Sequence, residues 1–132
     1  KPGAIEFFHG YTYSAHPAAC AAGIAALQIY EDEALFDRAN ALTPYFTDAV
    51  MSLADHPLVH DVRCMGLLAG VEVKAGAAPG QRGTEAQKRM FWNGLHVKFT
   101  GDSAIVAPMF IAERAHVDEI IEKFRKTLDT LA

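Results

Sequence analysis

The sequence predicts an α+β fold, a short antiparallel sheet covered by helices, from three observations. A long run without a charged residue follows Pro17 and reads as a helix. Period-two alternation of apolar and polar residues marks strands around Val62, Val71 and Val97. Near the end, Val117, Ile120, Ile121, Phe124, Leu128 and Leu131 recur at helical steps and give one apolar face.

Taken in order, Lys1 to Phe8 is short and mixed, suited to an incoming loop or strand. His9 to Ser14 is a polar loop with aromatic flanks, and Pro17 suits the first position of a helix reaching about Tyr30. Ala18 to Ile29 is apolar on every side except Gln28, so this helix is expected to be buried all round, against a domain or subunit outside the chain. A second helix is expected from about Glu33 to Ala54, with Leu35, Ala39, Leu42, Phe46, Ala49 and Leu53 as its stripe. Pro44 predicts a kink or break near Thr43, because proline removes a backbone bond and crowds the preceding turn.

Val59 to Met65 and Leu67 to Lys74 read as two strands with Gly66 marking a bulge or bend. Gly76 to Gly83 is a flexible loop, Thr84 with Gln87 resembles a capping box, and Gly94 would end that helix. Leu95 to Phe99 and Ala104 to Ala107 are expected to pair across a turn at Thr100–Asp102, before a last helix from about Glu113 to Leu131.

Composition narrows the functional classes. With 132 residues the chain can bury a real core, and 51% hydrophobic with 21% charged residues is ordinary for a globular protein. The net charge is −4 and the 12 basic residues are scattered, which argues against a nucleic-acid surface. The apolar run after Pro17 is too short and Ala-rich to span a bilayer, and no signal peptide is visible. Two cysteines make no disulfide framework and point to a reducing, cytoplasmic setting. Because the chain opens on Lys1, it reads as a piece of something longer.

Chemistry concentrates in few places. A hydroxyl-rich loop feeding a helix can direct free N–H groups at an anion, with Ser14 or His16 as the cap. Thr12 could donate to a phosphate without bulk or charge; a local turn hydrogen bond is the alternative. On the strand around Val97, His96 and Lys98 fall on the face opposite Leu95, Val97 and Phe99. From the pattern alone Lys98 reads as a solvated lysine at a strand edge. His56, His60 and Cys64 are spaced for a metal only on a helix, which Pro57 opposes, so no metal site is expected. His9 and His16 flank the loop, and Glu31, Asp32 and Glu33 read as a solvated cluster.

The segment HGYTYSAHPAACAAG (His9–Gly23) resembles the stretch that follows the cofactor lysine in class III, pyridoxal-phosphate-dependent aminotransferases, closest to the omega-amino acid–pyruvate (beta-alanine–pyruvate) branch. The resemblance continues in order through DVRCMGLLAGVEV (Asp61–Val73), GLHVKFTGD (Gly94–Asp102) and SAIVAPMFI (Ser103–Ile111). It implies the C-terminal portion of a fold type I transferase. Residues 1–32 would end the large cofactor-binding domain, and 33–132 would form the small C-terminal domain.

It also implies roles. Thr12, with the Tyr11 backbone beside it, would reach the pyridoxal 5'-phosphate of a partner subunit across a homodimer, or within a tetramer of dimers. Lys98, with His96, would form a wall of the substrate pocket, where many members carry an arginine that binds the substrate carboxylate. Lysine keeps the charge but lacks the planar two-pronged donor. No catalytic residue is assigned within the chain, since the Schiff-base lysine would precede Lys1 and Lys1 is too near the motif. The expected activity is transfer of an amino group from an omega-amino acid or amine to a keto acid such as pyruvate, with the isolated segment inactive. The alternatives are a diaminopelargonate or acetylornithine type aminotransferase, an aminomutase, or a non-catalytic α+β binding or dimerisation module.

Overall fold

The computed structural model describes residues 11–131. Lys1 to Gly10, with the expected incoming segment and His9, lie outside the described residues. The chain divides into two units, Lys1–Ala34 and Leu35–Ala132.

The first unit is built on α1, Pro17–Asp32. Pro17 occupies the first turn, where its missing N–H has no intrahelical role. His16, rather than Ser14, is the cap, its Nδ1 accepting from the Ala19 N–H at 3.4 Å. The helix closes at Glu33, whose N–H reaches the Ile29 carbonyl at 3.0 Å, and Ala34 takes a left-handed φ of 49°. The expected helix forms, but none of its residues is buried within this chain; Ile24 and Leu27 are 71% and 63% exposed. A single helix has no second layer of its own to bury against.

In the second unit, α2 spans Leu35–Met51 and runs on into a 3₁₀ turn, Ser52–Asp55. It starts later than the sequence suggests because Glu33 and Ala34 close α1. Its buried side chains are Leu35, Ala39, Leu42, Phe46 and Val50. Pro44 does not break the helix. The carbonyl it deprives of a partner belongs to exposed Asn40, and the Thr43 hydroxyl donates to the Ala39 carbonyl at 2.9 Å.

Strands β1 (Val59–Met65) and β2 (Leu68–Val73) form a tight hairpin, with Gly66 at φ 60° in the turn. Helix α3 covers Gln81–Trp92, β3 Lys98–Thr100, β4 Ser103–Val106 and α4 Arg114–Asp129. The four strands pair antiparallel in the order β1-β2-β4-β3. Register aligns Val62, Val71, Ala104 and Phe99 across one face. Phe46 and Val50 of α2, Met90 of α3, and Phe124 and Leu128 of α4 pack on that face in one continuous core. The other face carries the row Arg63, Gly70, Ile105 and Lys98.

Two further boundaries differ from expectation for physical reasons. Thr84 and Gln87 lie inside α3 rather than capping it, because the cap comes from elsewhere in the chain. The Asp102 carboxylate accepts from the N–H groups of Gly80 and Gly83 at 2.9 and 2.8 Å. The strand expected from Leu95 begins only at Lys98, since the Leu95 N–H closes α3 on the Met90 carbonyl at 2.9 Å.

Candidate functional site

The loop before α1 is shaped by two consecutive turns, Ser14 N–H to the Tyr11 carbonyl at 3.0 Å and His16 N–H to the Tyr13 carbonyl at 3.3 Å. Tyr11 and Ala15 adopt φ of 67° and 60°, a left-handed conformation that side chains rarely take. Tyr11, Thr12, Tyr13 and Ser14 are all exposed. Neither the hydroxyl nor the amide of Thr12 has a hydrogen-bond partner among the described residues. No acidic side chain occurs between Tyr11 and Asp32 except Glu31 at the far end of the helix.

The helix terminus itself contributes less than its sequence suggests. His16 takes the Ala19 N–H, the His16 carbonyl takes the Cys20 N–H, and Pro17 has none. The Ala18 N–H is left without a partner among the described residues, and in the loop the hydroxyl and amide of Thr12 add donors suited to a phosphate oxygen. A short hydroxyl and the amide of the same exposed residue fit a phosphate group.

Lys98 and His96 lie in the second unit and line one shallow depression with Leu95, Ile105, Ala107 and Met109. Both are exposed, while Val97 between them is buried, as strand alternation requires. The His96 ring stands edge-on to Phe91 with centroids 5.9 Å apart. Lys98 forms no ion pair among the described residues, whereas Arg63, at the opposite end of the same sheet row, is held by Asp61 at 3.0 Å and Glu72 at 3.6 Å.

The other groups singled out in the sequence go separate ways. His56 accepts from the Leu58 N–H at 3.1 Å and meets Asp129 at 3.2 Å. His60 is exposed, and Cys64 contacts the Thr47 hydroxyl at 3.5 Å. Between α2 and α4, the Tyr45 hydroxyl donates to Asp118, which raises the phenol pKa above its ordinary value, while the Arg114 guanidinium sits 4.9 Å from the ring centre. On α3, the Arg89 hydrogen bond holds the Glu85 carboxyl below the usual range. Sequence reasoning placed Asp102 only in a turn; its partners lie 19 and 22 residues upstream, and no local signal marks them. No helix among the described residues is long and apolar enough to cross a membrane.

The chain is 47% identical over 125 residues to the omega-aminotransferase of Caulobacter vibrioides, covering 94% of this chain and 28% of that protein. It is 35% identical over 130 residues to the beta-alanine–pyruvate aminotransferase of Pseudomonas aeruginosa, covering 98% of this chain and 29% of that protein. Its structure matches a thermostable omega transaminase mutant from Pseudomonas jessenii with a TM-score of 0.86 at 30% identity, over 96% of this chain and 30% of that one. The chain thus spans less than a third of the length of these relatives. Residues 1–128 match the family described as aminotransferase class-III, and the chain belongs to that family.

Proposed function

We propose that this chain is the C-terminal portion of a pyridoxal 5'-phosphate-dependent transaminase that moves an amino group from an omega-amino acid or amine to a keto acid such as pyruvate. The observation that carries the reading is the 47% identity, over 94% of the chain, to an omega-aminotransferase. The chemistry that the cofactor supplies when bound is an electron sink for amino-group exchange. The part that falls to this chain is binding and orientation.

In this reading the Thr12 hydroxyl and amide, with the Tyr11 backbone, donate to the phosphate of a cofactor held by the partner subunit of a homodimer. The free donors on Thr12 support that role. Lys98 meets the carboxylate of the keto acid, with His96 beside it; the uncompensated ammonium supports this. The exposed Ile24, Leu27 and Ile29 of α1 support a site completed by further polypeptide, with residues 1–32 in the cofactor domain and 33–132 in the small domain. Two free cysteines suit a cytoplasmic enzyme.

Thr12→Ala in the intact dimer tests the cofactor contact. Loss of a hydrogen bond to a charged group is expected to weaken cofactor affinity by about tenfold or more, with little change in the absorbance of the bound cofactor. Unchanged affinity would remove Thr12 from the site. A donor screen with pyruvate tests the substrate class; strong preference for an α-amino acid donor would overturn it.

A further inference from the structure

We propose that Asp102 is a positioning residue for Lys98, setting where the ammonium sits for a keto-acid carboxylate. The proposal rests on the reading of Lys98 given above.

Strand β3 is an edge strand of three residues, paired on one side only. So short a ladder leaves the placement of Lys98 to whatever holds the ends of the segment. Upstream, the hold is redundant. The Leu95 N–H bonds the Met90 carbonyl at 2.9 Å, the Asn93 side chain donates to the Thr127 hydroxyl at 3.0 Å, and Lys123 donates to the Gly94 carbonyl at 3.1 Å.

Downstream, polar anchoring of the hairpin tip to α3 comes, among the described residues, from one side chain. The Asp102 carboxylate takes Gly80 N–H on Oδ2 and Gly83 N–H on Oδ1, while its carbonyl accepts from the Val73 N–H at 2.9 Å. A helix usually receives its cap from the residue at its own N-terminus. Here that residue is Gly80, at φ 74°, with no side chain to offer, and the acceptor is delivered from the hairpin. The outcome is a closed ring: α3, the 93–97 connection, β3, the turn at Gly101–Asp102, and back to α3. Lys98 lies within it, and the carboxylate is the clasp.

The test is made on the intact holoenzyme, with Asp102→Ala, Asp102→Asn, Lys98→Met and the Ala/Met double variant. KM for pyruvate, KM for a carboxylate-free amine, kcat and cofactor content are measured for each. A displacement of Lys98 is expected to raise KM for pyruvate about three- to tenfold in Asp102→Ala, while KM for the amine moves less than about twofold. Asp102→Asn, which keeps one oxygen acceptor, is expected to fall between Asp102→Ala and the parent. The double variant is expected to be no worse than Lys98→Met alone, because both changes act through one ammonium.

Equal effects on pyruvate and amine, or additivity in the double variant, would overturn the proposal. Should Asp102→Ala fail to fold, Asp102→Asn decides: an unchanged ratio of the two KM values overturns it. If Lys98→Met itself leaves that ratio unchanged, the Lys98 reading falls and this proposal with it. If Lys98→Met shifts the ratio and neither Asp102 variant does, positioning by Asp102 alone is wrong.

Discussion

Gly83 and Gly101 meet so closely that a β-carbon on Gly83 would lie 2.0 Å from the Gly101 carbonyl oxygen. The obstacle is backbone, which cannot swing aside as a side-chain tip can. The first turn of α3 and the tip of the β3–β4 hairpin therefore approach to a distance that only glycine permits.

Gly83→Ala is accordingly expected to destabilise the fold, although alanine is the better helix former. Overpacking of this kind costs about 1–3 kcal/mol, more than the ~1 kcal/mol that helix propensity returns. A fall in the thermal unfolding midpoint of the intact protein checks this; a rise would show that the two segments separate without cost.

Phe124 is fully buried on α4 against the sheet. Phe124→Ala is expected to cost about 3–5 kcal/mol, because it removes a large apolar side chain and leaves a void. Phe124→Leu, which keeps most of the volume, is expected to cost clearly less. Denaturant midpoints of the two variants give the comparison.

Tyr45 is expected to ionise above the ordinary value for a tyrosine. Its phenol donates to Asp118, so its pKa stands above the ordinary 10.0. The sign follows from linkage: the hydrogen-bonded phenol stabilises the folded state below the ordinary value, and that stabilisation is lost as pH rises through the raised one. Subtracting the alkaline absorbance titration of Tyr45→Phe from that of the parent is expected to leave a midpoint above 10.0.

Lys98→Arg supplies the planar pair of donors that a carboxylate accepts in parallel. It is expected to lower KM for pyruvate by about threefold or more, with the amine KM unchanged. Steady-state kinetics with both substrates checks the split, and a rise in pyruvate KM would argue against a carboxylate at this position.

Much of the second unit was legible because its elements repeat with a single period. Val62, Val71 and Val73 alternate, and Val117, Phe124 and Leu128 recur along α4, so burial follows pattern. Where reading failed, a partner distant in sequence had taken over. Asp102 moved the start of α3 to Gln81, and the Met90 carbonyl shortened β3 by occupying Leu95. The exposure of α1 was illegible for a different reason: an apolar run with no polar face reads as buried, and pattern alone does not say what would cover it. The hydroxyl-rich loop before Pro17 was legible as a candidate anion site from its chemistry, but one exposed threonine in a turn carries no periodic signal, and the role of Thr12 across a subunit boundary came from resemblance.

The row that ends in Lys98 begins, three strands away, with Arg63. At ordinary strand spacing the two backbone positions stand about 14 Å apart, farther than the ~8 Å over which charges sense one another through physiological salt. Arg63 already has its countercharges in Asp61 and Glu72. Among the described residues, this row therefore carries one cation without a countercharge, and nothing else along it could stand in should that charge be lost.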